Sequence, residues 1–309
     1  MSTMLCKGED VLSLIDWSRE KIESVFKVAE KMEPIVRNRE IVPILANKIL
    51  AVVFYHPSTR TRTSFQSAME RLGGHVVGWE SAYSSRARGK DVKGLEEESD
   101  KDTALMLNNY ADAIALRHDH EGAAKEFAKW ADIPVLNAGD GYGLTSEHPT
   151  QGLLDLYTIK KEQGKIDGLK VLHLGDAHSR TVHSLNFGLA KYDDIKVYIC
   201  CPQEMRFMPE EENPLKQLSL DYEYVDDIKD VIKEVDVISG GGKEEKYILR
   251  ASKLKGCKDN LIVMHPLPRG VGIAEDVDDT KYARYYQQAW NGVPIRMALL
   301  SLIFGNAPI

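Results

Sequence analysis

The five residues from Ser58 to Arg62 carry three hydroxyls and two guanidiniums, within the stretch FYHPSTRTRTSF. Such side chains bind oxyanions: each hydroxyl can donate one hydrogen bond, and a planar guanidinium donates two in parallel to a phosphate or carboxylate. An apolar run, KILAVVFY at 48–55, precedes them and reads as a buried strand, while Thr63 to Leu72 returns to helical spacing with Phe65, Met69 and Leu72 on one side. The cluster therefore falls at a strand-to-helix junction, where unpaired backbone N–H groups and the positive end of the helix dipole favour an anion. An ordinary capped helix with exposed arginines has the same composition, so this stretch by itself leaves both readings open. ATP is not implied, because the loop pattern GxxxxGK followed by Ser or Thr is absent.

Three more polar clusters lie at the ends of expected strands: Arg117-His118, His148-Pro149-Thr150-Gln151, and His265-Pro266-Leu267-Pro268-Arg269. Ligands of parallel sheets bind beyond the carboxyl ends of the strands, so the shared placement carries more weight than any single histidine. The four cysteines, Cys6, Cys200, Cys201 and Cys257, show no CxxC spacing and are expected to be reduced structural thiols. No metal and no organic cofactor is called for.

These clusters need strands and helices to position them. One amphipathic helix is expected over 18–38, followed by strands at 48–55, 75–79, 111–117 and 133–139 and helix-like stretches at 103–111 and 122–131. After a helix at 150–163 a second series opens, with strands at 168–176, 195–202, 235–241 and 260–268, and a final apolar helix at 294–305. Alternation of this kind means α/β architecture with two doubly wound parallel-sheet domains joined by interdomain helices. A chain of 309 residues fits two such domains, with the boundary in or near the 150–163 helix and the last helix packing back on the first domain. A net charge of −7 argues against nucleic acid as a partner, and no apolar run reaches the ~18 residues of a membrane helix; the expected address is cytoplasmic.

The motifs PSTRTR, LRH followed by EGAA, LNAGDG, HPTQ with LLDLYTI, GD followed by RTVHSL, HPLPR, and DVD leading into YYQQAWNG occur in that order. Together they resemble the catalytic chain of aspartate carbamoyltransferase, over roughly residues 10 to 305 of this sequence, within the aspartate/ornithine carbamoyltransferase family. HPLP, where the ornithine branch has HCLP, points to the aspartate branch. The resemblance implies a carbamoyl phosphate-binding domain over 1–150 with the C-terminal helix of about 290–309, and an amino-acceptor domain over 151–289. It implies a homotrimer with shared active sites, and carbamoyl transfer from carbamoyl phosphate to an amine, in pyrimidine biosynthesis if the acceptor is aspartate. By resemblance Ser58, Thr59, Arg60, Thr61 and Arg117 hold the phosphate, and His148 and Gln151 contact the carbamoyl end. Leu267, through its carbonyl, and Pro268 line the site near the amines, and Arg180 grips the acceptor's α-carboxylate.

The acceptor side departs from the pattern. The Arg-x-Gln that meets aspartate's second carboxylate in the family is replaced by Ser239-Gly240-Gly241-Gly242-Lys243, and a glycine run supplies no charge. His56 and Gly272 stand where the aspartate branch has glutamates. The family loop that reaches into a neighbouring subunit maps either to Ser85, Arg86, Arg88 and Lys90 or to a register using Lys93. Three outcomes fit: Lys243 or the partner's loop cations preserve aspartate; a different amine is the acceptor; or carbamoyl phosphate is bound without turnover.

Overall fold

The computed structural model describes residues 4–81, 84–85 and 98–307. The chain divides into two compact units, residues 1–150 with 292–309, and residues 151–291.

In the first unit, helix α1 (Arg19–Arg37) starts at Ser18, whose hydroxyl accepts from the Lys21 N–H, and buries Ile22, Val25, Phe26, Ala29 and Met32 along one stripe. Strand β1 (Ile49–Phe54), helix α2 (Thr59–Arg71), strand β2 (His75–Trp79), helix α3 (Asp100–Leu107), strand β3 (Ala113–His118), helix α4 (Ala123–Ala128) and strand β4 (Val135–Asp140) follow. The four strands form a parallel sheet in the order β2-β1-β3-β4. Ala51, Val53, Ile114, Leu116 and Phe127 share its core. From β1 the chain winds outward to β2, and from β3 outward to β4. The switch point between β1 and β3, where Phe54 pairs with Arg117, is thus the natural binding crevice.

Helix α5 (Pro149–Gln163) leads into the second unit, which contains β5 (Lys170–Leu174), α6 (Arg180–Leu189), β6 (Lys196–Cys200), α7 (Pro209–Gln217), β7 (Asp221–Tyr224), β8 (Val237–Gly240) and β9 (Ile262–Met264). Its five parallel strands run in the order β7-β6-β5-β8-β9, so its switch point lies between β5 and β8. Leu172, Ile238, Val263 and Tyr285 belong to its core. The last helix, α8 (Tyr285–Ile303), returns the chain to the first unit, where the buried Arg296 guanidinium lies over the Phe65 ring at 5.0 Å.

Two α/β sheets with helices between their strands agree with the expected fold class. The differences have local causes. Helix α2 begins at Thr59, not Thr63, because its first turn, Thr59 to Arg62, is wholly polar and so shows no apolar periodicity. Helix α7 went unread: its first turn is Glu210-Glu211-Glu212 and Pro214 lies inside it. Strand β7 alternates exposed acids with half-buried tyrosines, the pattern of a polar edge strand. Helix α8 starts nine residues before Pro294, where the expected apolar run began.

Candidate active site

In the first unit, Ser58 has extended backbone angles and caps α2, its Oγ accepting from the Thr61 N–H at 3.3 Å. That leaves Thr59 and Arg60 exposed in the first turn, while Thr61 is buried with Oγ1 3.4 Å from His148 Nε2. Partial burial lowers the Arg60 guanidinium from its ordinary value, although an arginine stays protonated at any ordinary pH. Arg62 points elsewhere and donates to Glu80 at 3.1 Å. The cluster is thus divided: Ser58 to Thr61 form the cap and first turn of α2 beyond the end of β1, and Arg62 is held by a neighbouring acid.

Arg117 arrives at the same crevice from the end of β3, half-buried and paired in register with Phe54. His148 is 3% exposed, with its second nitrogen, Nδ1, 3.4 Å from Thr150 Oγ1. Its ring therefore lies between two hydroxyls that can fix its orientation. Preceding it, Glu147 is buried with Oε2 accepting from the Leu14 N–H at 3.2 Å, and burial pushes its carboxyl up to about 7. His56, where a glutamate was expected by resemblance, is exposed and 3.2 Å from Asp119.

In the second unit, Gln151 donates to Asp155 at 2.8 Å, and the same carboxylate oxygen accepts from Gln288 at 2.7 Å. Gln288 in turn accepts from the His265 N–H at 2.8 Å, and His265 Nδ1 accepts from the Leu267 N–H at 2.8 Å. This chain of bonds fixes the 265–268 loop, in which Leu267 has a left-handed φ of 56°. Arg269 makes paired bonds to Asp278 and one to Tyr285 Oη at 3.1 Å, so it serves the loop.

Arg180 opens α6 directly behind its cap Ser179, beyond the end of β5, and Lys243 is exposed beyond the end of β8. Both cations thus follow the two strands of this unit's switch point. The glycines of the region are packed backbone to backbone: a Cβ on Gly241 would lie 2.3 Å from the Gly272 carbonyl oxygen, and one on Gly175 would lie 2.8 Å from that of Gly241. Behind α6, His178 Nδ1 lies 2.8 Å and His183 Nε2 3.2 Å from the buried Glu211. Burial opposes its charge, but the neighbouring His183 ring and the bonds with the Met208 N–H and His178 prevail and hold the carboxyl down at about 2.

Ser85 is half-buried, whereas Arg88, Lys90 and Lys93, like Arg86, lie outside the described residues. Sequence reading passed over Tyr55, Asp100, Glu147 and Glu211. Ser99-Asp100-Lys101-Asp102 carries a helix-cap pattern that could have drawn the eye to Asp100; the others carry no local signal.

Each unit thus has a doubly wound sheet with cations beyond its switch point, the first grouped around an anion-binding helix start, which is the layout of a two-domain α/β enzyme acting on a phosphorylated substrate. Residues 9–161 match the aspartate/ornithine carbamoyltransferase carbamoyl-P binding domain, and residues 243–303 match the Asp/Orn binding domain of that family. The catalytic subunit of aspartate carbamoyltransferase from Methanobrevibacter smithii is 42% identical, covering 97% of this chain and 96% of that one. The subunit from Thermococcus kodakarensis is 44% identical over 97% and 98%. Among solved structures, aspartate transcarbamoylase from Trypanosoma cruzi in complex with carbamoyl aspartate and phosphate superposes with a TM-score of 0.88 at 31% identity, covering 98% of each chain. The chain belongs to the aspartate/ornithine carbamoyltransferase family.

Proposed function

We propose that the protein transfers the carbamoyl group of carbamoyl phosphate to the amino group of L-aspartate, giving N-carbamoyl-L-aspartate and phosphate. The observation that supports this reading is the 3.4 Å contact of Thr61 Oγ1 with His148 Nε2 at the capped start of α2, with Arg117 at the end of the strand paired to β1. The reading also draws on the relatives, which are named aspartate carbamoyltransferase catalytic subunits.

The chemistry follows from the donor set. The start of α2, with its N–H groups, hydroxyls and Arg60, neutralises the phosphate, and Arg117 adds a second guanidinium. As the amine attacks the carbonyl carbon, charge builds on the carbonyl oxygen, and His148, Thr61 and Arg60 are the fixed donors that stabilise it. Phosphate then leaves as an anion that is already bound. Gln151 contacts the carbamoyl nitrogen end, the Leu267 carbonyl and Pro268 line the approach of the amine, and Arg180 takes the acceptor's α-carboxylate. Holding both substrates in attack geometry supplies much of the remaining acceleration. In this reading the chains assemble as a homotrimer in the cytoplasm, and cations from the 81–97 stretch of a neighbouring subunit complete each site.

One observation favours a second reading, transfer to an amine without a second carboxylate. The packing of Gly241 against Gly272 leaves no room for an arginine side chain to branch at that point. Under the first reading Lys243 or a partner's loop cation binds the second carboxylate; under the second nothing does. Phosphate release from carbamoyl phosphate, measured with aspartate and then with a panel of amino acids and small amines, decides between them. Turnover with aspartate is the expected result. Turnover only with another amine would replace the acceptor, and carbamoyl phosphate binding without any transfer would overturn the enzymatic reading.

A further inference from the structure

We propose that Tyr55, Asp100 and His118 act as positioning residues, one carboxylate at the start of α3 holding together the two strand ends that carry the phosphate-binding groups. None of the three belongs to the donor set described above. This inference rests on the donor-site reading.

Tyr55 is the residue after β1 and lies three positions before Ser58; its N–H donates to the Arg117 carbonyl at 2.9 Å, which extends the β1/β3 ladder to the crevice. His118 is the residue after Arg117. The two rings are in tilted contact, with centroids 4.1 Å apart. His118 Nδ1 accepts the His120 N–H at 3.0 Å, so in the neutral ring the proton sits on Nε2. That nitrogen faces Asp100 Oδ1 at 3.4 Å, and the Tyr55 hydroxyl donates to the same oxygen at 3.3 Å.

The trio is shielded from water: Tyr55 is 4% and His118 1% exposed, and the Asp100 side chain 12%. A carboxylate at such depth needs partners. Burial pushes the Asp100 carboxyl up, but the neighbouring His118 ring and the Tyr55 hydroxyl outweigh it and hold the group below its ordinary value. As the first residue of α3, behind its cap Ser99, Asp100 also sits at the positive end of a helix. A carboxylate oxygen that accepts the Tyr55 hydroxyl and lies 3.4 Å from His118 Nε2 ties the chain at 55 to the chain at 118. Through one residue on one side and three on the other, it fixes where Arg117 and the Ser58–Thr61 turn stand.

The test compares Tyr55→Phe, Asp100→Ala and Asp100→Asn with the unsubstituted protein, by steady-state kinetics for each substrate and by calorimetric binding of inorganic phosphate. Removal of the carboxylate should raise both the carbamoyl phosphate KM and the phosphate Kd about tenfold, with the acceptor KM changed less than about threefold. Asp100→Asn, which keeps an oxygen in place, should recover most of that loss. Tyr55→Phe removes one atom from a packed ring, so it keeps the fold and should weaken phosphate about threefold. Adding it to Asp100→Ala should cost nothing further, because the hydroxyl acts through the carboxylate. Phosphate affinity within twofold of the unsubstituted protein in Tyr55→Phe, or equal losses for both substrates in Asp100→Ala, would overturn the positioning role. Failure of the unsubstituted protein to bind phosphate would overturn the donor-site reading and this role with it.

Discussion

Arg60 and Arg62 are two positions apart in sequence, yet the first-turn geometry of α2 gives them different surroundings. Arg60 is exposed in the turn capped by Ser58, and Arg62 donates to Glu80 at 3.1 Å. A guanidinium that meets developing charge is worth far more in the transition state than one that ties two surface elements together. Arg60→Ala should therefore lower carbamoyl phosphate-dependent turnover about 10³-fold or more, whereas Arg62→Ala should lower it less than about threefold. Neither change should shift the melting temperature by more than a few degrees, since neither side chain is buried. Comparable losses in the two variants would show that the helix as a whole, and not its first-turn arginine, grips the donor.

At the scale of elements, the connection from β4 to α5 is tied down by two buried acids. Asp140 Oδ1 accepts from Asn137 and from the Glu147 N–H, and Glu147 accepts from the Leu14 N–H, anchoring the segment before α1. Burial raises the Glu147 carboxyl to about 7; bonds from Ser13 and Leu14 and the charge of Lys125 pull it down, and Asp140 adds to the rise. The folded form therefore holds a proton that the unfolded chain, with an ordinary carboxyl near 4.5, has released. Stability supplied by this group is complete below about pH 4.5 and is lost as pH rises to about 7, by up to about 3 kcal/mol. Glu147→Gln should remove that dependence: the difference in denaturant stability between variant and parent should grow in the variant's favour from pH 5 to pH 8. A difference that stays constant across the window would mean that the carboxyl titrates normally.

For the whole molecule, the proposed function calls for a site shared between chains. Assembly as a trimer predicts a mass near three times 34.7 kDa by light scattering. If the 81–97 stretch completes a neighbour's site, Arg60→Ala chains and chains lacking both Lys90 and Lys93 should each be inactive alone. Mixed and reassembled, they should recover about a quarter of the parental activity, since half of the donor sites and half of the loops are intact and combine independently. No recovery in mixed trimers would confine the site to one chain. Single substitution of Lys90 or of Lys93 identifies the register.

What the sequence determined is what a short window of side chains can specify. The apolar runs of β1, β3 and β5, the stripe of α1 and the hydroxyl-arginine turn all follow from neighbours within a few residues, as did the motifs by which the family was legible. Helix α7 and strand β7 were hidden because charge and proline mask their periodicity, and the bond of Arg62 to Glu80 joins residues 18 positions apart. That Arg117 stands beside the end of β1 depended on the pairing of β1 with β3, a contact between segments some 60 residues apart in the chain. The same pairing brought Tyr55 and His118 to the Asp100 carboxylate, and the β5/β8 pairing made Gly175 and Gly241 meet. Parallel strands are never joined by a short turn, so their partners come only with the folded sheet.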